Sequence, residues 1–264
     1  MELELQDVGF RSGDTTLLES ISCRIAPGHC VLVMGPSGAG KTLLMKIMAT
    51  IVPPSSGVIR YDERNTSDLS DRELDRERLR YGFVFQDAAL WQNSSVLQNL
   101  TLATQYHHPR RDPAIVRERV DLLCRRLNFR EDLNQRPALL SAGERKVASI
   151  IRALMQDPET LFMDEPSGGL DSATSDRLLA MLRDLKKRGR TMVIASHDSE
   201  IASQLADDIL VVEEGRLLTY APVSELIRSE NPRVREILAD VFDLSSTYDA
   251  DILDILGSDD DPFA

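Results

Sequence analysis

The chain has 264 residues, 42% hydrophobic and 28% charged, which excludes a wholly disordered protein and is enough to bury a sizeable core. No apolar run approaches the roughly 18 residues of a membrane-crossing helix, and the start, MELELQDV, lacks the basic and apolar regions of a secretory signal. The net charge of −12 argues against nucleic acid as the main partner, and it is uneven: residues 230–264 hold ten acids and two bases, while the remainder is close to neutral.

In chain order, Leu3, Leu5, Val8, Phe10, Ile21, Cys23 and Ile25 alternate in short stretches, broken by Ser12-Gly13-Asp14 and Pro27-Gly28. This predicts short antiparallel strands. Val31–Met34 is continuously apolar, as a strand buried on both faces requires. A Gly-rich loop follows, then a predicted helix from about Lys41 to Ile51, stopped by Pro53-Pro54, and one more strand over 58–61. From about Leu90 to Pro158 the pattern is helical, with Ile115, Val116, Val120, Leu123 and Leu127 near period 3.6. Thr160–Met163, Thr191–Ala195 and Asp208–Val212 read as buried strands. Between the first two, a helix is predicted over Ser172–Lys187, with Asp171 as N-cap and Gly189 after its end. Strands alternating with helices predict a parallel α/β sheet carrying a helical lobe. Cys23, Cys30 and Cys124 lack metal-ligand spacing and are expected to be reduced thiols.

Gly35-Pro36-Ser37-Gly38-Ala39-Gly40-Lys41-Thr42 fits the phosphate-loop pattern, with a strand before it and a helix after it. Glycines let backbone amides approach anionic oxygens, and the helix N-terminus adds a positive dipole end. Lys41 is suited to neutralising β/γ-phosphate charge, and Thr42 offers a hard oxygen to Mg²⁺. Leu161–Pro166 is an apolar strand ending in two carboxylates, and ligands of α/β sheets sit at the carboxyl ends of strands. Asp164 is placed to hold a Mg²⁺ shell, and Glu165 to orient and deprotonate a water. His197 leaves the next strand and Gln86 follows Phe83-Val84-Phe85; each is also readable as an ordinary strand-end residue. In Leu140-Ser141-Ala142-Gly143-Glu144, Ser141 is an N-cap candidate and Gly143 permits close backbone approach.

Together these residues resemble the ATPase subunit of ABC transporters over residues 1 to about 228. GPSGAGKT looks like Walker A, Gln86 like the Q-loop, LSAGE like the signature, LFMDE like Walker B with its Glu, SGGLD at 167–171 like the D-loop, and His197 like the switch histidine. The resemblance implies a P-loop NTPase (RecA-like) α/β core with an N-terminal antiparallel β subdomain. It also implies a nucleotide-binding domain over residues 1–229, a helical subdomain at about 88–158 and an acidic extension at 230–264. It implies ATP and Mg²⁺ as cofactors. Glu165, His197 and Gln86 would be catalytic. Residues 35–42, Ser141, Gly143 and Asp171 would contact nucleotide, and Thr42, Gln86 and Asp164 would hold metal. Two copies would close head to tail on two ATP molecules, with the signature of one facing Walker A of the other. A membrane permease would convert this into transport, placing the chain on the cytoplasmic face of the inner membrane. LSAGE departs from the common LSGGQ, and Ser12 stands where an aromatic usually stacks on adenine.

A finer resemblance, to Mla/Mce phospholipid-transport ATPases, rests on Phe83–Trp91 (FVFQDAALW) and Asn231–Phe242 (NPRVREILADVF). It implies phospholipid as cargo, a small regulatory subunit and a lipid-binding component. A soluble, non-transport ABC ATPase of the iron–sulfur assembly type, a cassette for another substrate and a catalytically weak regulatory cassette stay open. Trp91 reads either as part of a permease groove or as core of the helical lobe. In the tail, Asn231-Pro232 reads as a helix start. Val234, Ile237, Leu238, Val241 and Phe242 form an apolar stripe, followed by Ile252-Leu253-Asp254-Ile255-Leu256. The expectation is that this segment docks on the second copy.

Overall fold

The computed structural model describes residues 1–239, 241 and 242. The first half contains strands β1 (Leu3–Ser12), β2 (Thr15–Ile25) and β3 (Cys30–Met34), helix α1 (Lys41–Met48), strands β4 (Ser56–Tyr61) and β5 (Arg64–Asn65), helix α2 (Asp71–Arg78), strand β6 (Tyr81–Val84), and helices α3 (Val96–His107) and α4 (Pro113–Arg126). The second half contains α5 (Ala142–Leu154), β7 (Thr160–Asp164), α6 (Ser172–Lys187), β8 (Thr191–Ala195), α7 (Ser199–Leu205), β9 (Asp208–Glu213), β10 (Arg216–Pro222), α8 (Val223–Leu226) and α9 (Pro232–Ala239).

Two sheets form. An antiparallel one has the order β2-β1-β4-β5, and a six-stranded one has the order β10-β9-β3-β8-β7-β6. In the larger sheet β9, β3, β8, β7 and β6 run parallel, and β10 closes the edge antiparallel to β9. Its central strands are buried throughout, and strand alternation sends their side chains into two cores. Val31, Val33, Phe162, Val193, Ala195, Leu210 and Val212 pack with α1 and the antiparallel sheet. Leu32, Met34, Leu161, Met163, Met192, Ile194, Ile209 and Val211 pack with α3 to α9.

The predicted strands Thr191–Ala195 and Val31–Met34 and the helix Ser172–Lys187 are found within a residue of their expected limits. Asp171 caps α6 by accepting from the Thr174 amide at 2.9 Å. Helix α1 ends at Met48, short of the expected Ile51. Thr50 takes a left-handed backbone (φ 50°), so the Ile51 amide donates to Lys46 and the Thr50 amide to Ile47, which is a Schellman closure. The strained Thr50 is held by a 2.6 Å hydroxyl contact to Tyr81 and by Arg78 donating to its carbonyl at 2.8 Å.

The tail helix requires a correction. Val234, Ile237, Leu238, Val241 and Phe242 are all buried within this one chain, inside the core that also holds α3 to α6. At about 1.5–3 kcal/mol per buried apolar side chain, peeling this stripe away to dock on a second copy would cost on the order of 10 kcal/mol. Arg233 further ties the helix to the end of β9 by donating to Glu213. The 231–242 stripe is therefore part of the cassette, and the expected docking helix is spent within its own chain. The Ile252–Leu256 cluster and most of the acidic tail lie outside the described residues.

Candidate active site

The site forms at the carboxyl ends of β3, β8 and β7, which lie side by side. Behind β3 the loop turns sharply: Gly35 has φ 142°, and a Cβ there would sit 1.9 Å from the Val212 carbonyl oxygen. Only glycine lets the loop pass this close to β9. The Ala39 amide donates to Pro36 and the Ala39 carbonyl accepts from Gly215, so the loop is fixed on both flanks. Pro36, Ser37 and Gly38 form its exposed rim, and Gly40 caps α1 in a left-handed conformation. Lys41 Nζ donates to the carbonyls of Gly35 at 2.6 Å and Pro36 at 3.0 Å. Burial lowers its pKa, opposed by the charges of Glu165 and Asp164.

Thr42 is the next residue, on the first turn of α1. Its Oγ1 donates to Asp164 Oδ2 at 2.6 Å, across 122 residues of sequence. Asp164 is only 3% exposed. A hydrogen bond to a buried carboxylate contributes about 1.5–3 kcal/mol, so this pair locks β7 to α1. It also places two hard oxygens together. Among the described residues no cluster of three or more His, Cys, Asp or Glu side chains forms a metal cage. One carboxylate and one hydroxyl, open to phosphate oxygens, is the donor set Mg²⁺ takes alongside a nucleotide, so the residues fit that ion.

Glu165 turns away from its neighbour. It is a non-glycine residue with φ 48°, a conformation costing about 1–3 kcal/mol, held by its amide donating to Ala195 at 2.8 Å. The turn brings its carboxylate to 3.7 Å from His197 Nε2 at the end of β8. Burial pushes its pKa above the ordinary carboxylate range; His197 and Lys41 pull it down and Asp164 pushes it up. A carboxylate made more basic, beside an imidazole and next to a cation-binding pair, can accept a proton from water.

The structure brings together Lys41, Thr42, Asp164, Glu165 and His197, but it does not bring all the expected residues to this place. Ser141 and Gly143 begin α5 and make no hydrogen bond to the phosphate loop among the described residues. Ser141 Oγ accepts from the Glu144 amide at 3.2 Å, and Glu144 Oε2 accepts from the Ser141 amide at 2.6 Å, a reciprocal capping box. A Cβ on Gly143 would meet the Gly169 carbonyl oxygen at 2.7 Å, so the signature packs against the D-loop. Asp171 is occupied in capping α6. Gln86 is exposed just past β6, Ser12 is exposed, and Phe10 packs partly against the smaller core.

Trp91 is half exposed, which rules out the core reading. An Arg152 guanidinium lies 5.6 Å from its ring centroid, and Asn99 binds its backbone amide and carbonyl. Sequence reasoning missed Lys146, a buried lysine on α5 whose Nζ donates to the carbonyls of Gln86 at 2.7 Å and Phe85 at 3.1 Å. The signal was present: Lys146 lies at i−4 and i−8 from the apolar Ile150 and Leu154 and so faces the core.

Residues 18–168 match the family model described as ABC transporter. A macrolide export ATP-binding/permease protein MacB from Hahella chejuensis is 36% identical over 222 residues, covering 82% of this chain and 34% of that protein. Its counterpart in Marinobacter nauticus is 36% identical over 234 residues, covering 84% and 36%. The chain thus spans about a third of the length of these curated relatives. Among solved structures, a dimeric ATP-binding cassette in a post-hydrolysis state with ADP and Pi superposes with a TM-score of 0.78 at 28% identity, covering 84% of this chain and 98% of that one. None of the described helices is long and apolar enough to cross a membrane.

Proposed function

The chain belongs to the ABC transporter family as an ATP-hydrolysing cassette, and on that premise we propose that it is the motor of a membrane transporter, working as a head-to-tail pair of cassettes. The observation that carries the reading is the Glu165–His197 pair set beside the Thr42–Asp164 pair. Lys41 and main-chain amides of the phosphate loop, Pro36 having none to offer, hold the phosphates. Thr42 and Asp164 would hold Mg²⁺, which supplies charge neutralisation at the β- and γ-oxygens when bound. Glu165 orients the attacking water and takes its proton, and His197 steadies that carboxylate and the transferring phosphate. Asp171 ends the D-loop and caps α6, and Gln86 links the site to the exposed segment carrying Trp91.

Ser141 and Gly143 make no hydrogen bond to the phosphate loop of their own chain among the described residues, which supports a second copy supplying the phosphate loop they face. The dimeric state of the solved cassette supports the same arrangement. Exposed Trp91, with Arg152 at its ring, suits contact with a membrane-spanning permease, on this polypeptide or another. Such a motor sits at the cytoplasmic face of the membrane that holds its permease.

For cargo, phospholipid is the reading supported by the resemblance of residues 83–91 and 231–242, together with an accessory regulatory subunit and a lipid-binding component. A second reading, export of a small amphiphile, is favoured by the MacB relatives. The test purifies the chain with its membrane partner and measures ATPase activity with phospholipid vesicles and with a macrolide. Activity abolished by Glu165→Gln is expected. Activity unchanged by that substitution would overturn the proposed base, and stimulation by the macrolide alone would overturn the phospholipid reading.

A further inference from the structure

Helix α5 does more than present the signature. Lys146 lies on its second turn and is 4% exposed. Its ammonium donates to three main-chain carbonyls from two other elements: Gln86 at 2.7 Å, Phe85 at 3.1 Å and Asp164 at 3.4 Å. Burial lowers its pKa, and the charges of Asp164, Glu165 and Asp87 oppose that shift. Six residues on, Arg152 donates to the Ala89 carbonyl at 2.7 Å and the Ala88 carbonyl at 2.9 Å. Ala88 and Ala89 both hold left-handed backbones (φ 64° and 43°), which non-glycine residues rarely adopt. One helix therefore grips four carbonyls of the 85–89 segment with two cations, and the first of these cations also reaches the end of β7.

Burying an ammonium is costly, and an apolar side chain would pack α5 on the sheet without that cost. What the ammonium adds is a link between the Gln86 backbone, the Asp164 backbone and the helix whose N-terminus holds Ser141. We propose that Lys146 is a positioning residue for ATP hydrolysis, holding the Gln86 loop and the Asp164–Glu165 end of β7 in one frame with the signature helix. All three of its hydrogen bonds go to main-chain carbonyls, so it acts through the residues it holds. When a second cassette presses on Ser141, α5 carries the displacement to Gln86 and to the hydrolytic carboxylates together. This inference rests on the ATPase reading above.

The test uses the full chain as wild type, Lys146→Met, Lys146→Arg and Glu165→Gln, with steady-state ATPase kinetics and the fluorescence of Trp91, the only tryptophan. For Lys146→Met we expect kcat to fall roughly tenfold or more while KM for ATP stays within about threefold, because the phosphate loop is untouched. Lys146→Arg, which keeps the charge and donors, is expected to recover part of the loss. The ATP-dependent change in Trp91 emission is expected to vanish in Lys146→Met. A kcat within about twofold of wild type, or a rise in KM with kcat unchanged, would overturn the proposal. Should Lys146→Met fail to fold, Lys146→Gln retains two donors without the charge and is read by the same criteria. A wild type with no ATPase activity contradicts the enzyme reading instead, and the Trp91 signal then still decides whether Lys146 couples the loop to nucleotide.

Discussion

Two regions of this chain carry the residues expected to meet ATP, and they are built differently. Around the phosphate loop, side chains distant in sequence hold one another: Thr42 binds Asp164 across 122 residues, and Glu165 sits 3.7 Å from His197. At the start of α5 the expected residues make no hydrogen bond to the phosphate loop among the described residues. Ser141 and Glu144 cap each other, and Gly143 packs on the Gly169 carbonyl. The first region is assembled within one copy. The second is a capped helix start with Ser141 exposed, an arrangement that suits the proposed contact with a second molecule's phosphates. On the proposed function, the contrast would separate hydrolytic chemistry from the control of that chemistry.

Substitutions sharpen the contrast in order of expected size. Glu165→Gln removes the base while leaving the shape, and should lower kcat by about a hundredfold or more with ATP binding retained; steady-state kinetics with nucleotide titration checks both. Thr42→Val leaves Asp164 buried without its donor, and a stability loss of about 1.5–3 kcal/mol, read by thermal melting, is expected together with a lower kcat/KM for ATP. Gly143→Ala must move the D-loop carbonyl, and a several-fold loss of ATPase activity is expected with a stability cost of about 1–3 kcal/mol, read by steady-state kinetics and thermal melting. Glu144→Gln preserves the capping box and should change the rate by no more than about twofold, so a larger change would assign the carboxylate charge a role beyond capping.

The pH profile probes the first region alone. Burial raises the Glu165 pKa, and the ionised form is the proposed base, so activity is expected above that raised pKa and is expected to be lost as pH falls through it. Since His197 pulls the value down, His197→Ala should move the acidic limb of the kcat/KM profile to higher pH. The stability sign is opposite. The folded state holds this proton more tightly than the unfolded chain, so the group's contribution to stability falls as pH rises through the same window. Glu165→Gln should therefore melt slightly higher than wild type at neutral pH, a difference that narrows in acid.

Much of the first region was legible in the sequence. Continuous apolar runs such as Val31–Met34 and Thr191–Ala195 mark buried parallel strands, and the candidate site lies where those runs end. Asp171 and Gly189 bracket α6 because caps are local chemistry. Helix α2 was not legible: Asp71–Arg78 carries almost no apolar stripe and is held by the Ser70–Glu73 cap and by Arg64 and Arg80 on Glu77. The stripe of α9 was read correctly as a buried face, but periodicity says that a face is covered and not by what. Lys146 escaped for a related reason: a lysine in a helix reads as solvated until the three-dimensional fold surrounds it with carbonyls. The split between the two regions came only from the family resemblance, since motif order by itself carries no information on which copy supplies each motif.

The central claim is that hydrolysis needs the phosphate loop of one copy and the signature of another. Complementation tests it directly. Lys41→Ala and Ser141→Arg each disable both sites of a pair of identical chains. When the two variants are mixed in equal amounts, half the pairs are hybrids, and each hybrid regains one site from an intact phosphate loop and an intact signature. The account predicts recovery of about a quarter of the wild-type ATPase activity per chain in the mixture. A mixture as inactive as its separate components would contradict it.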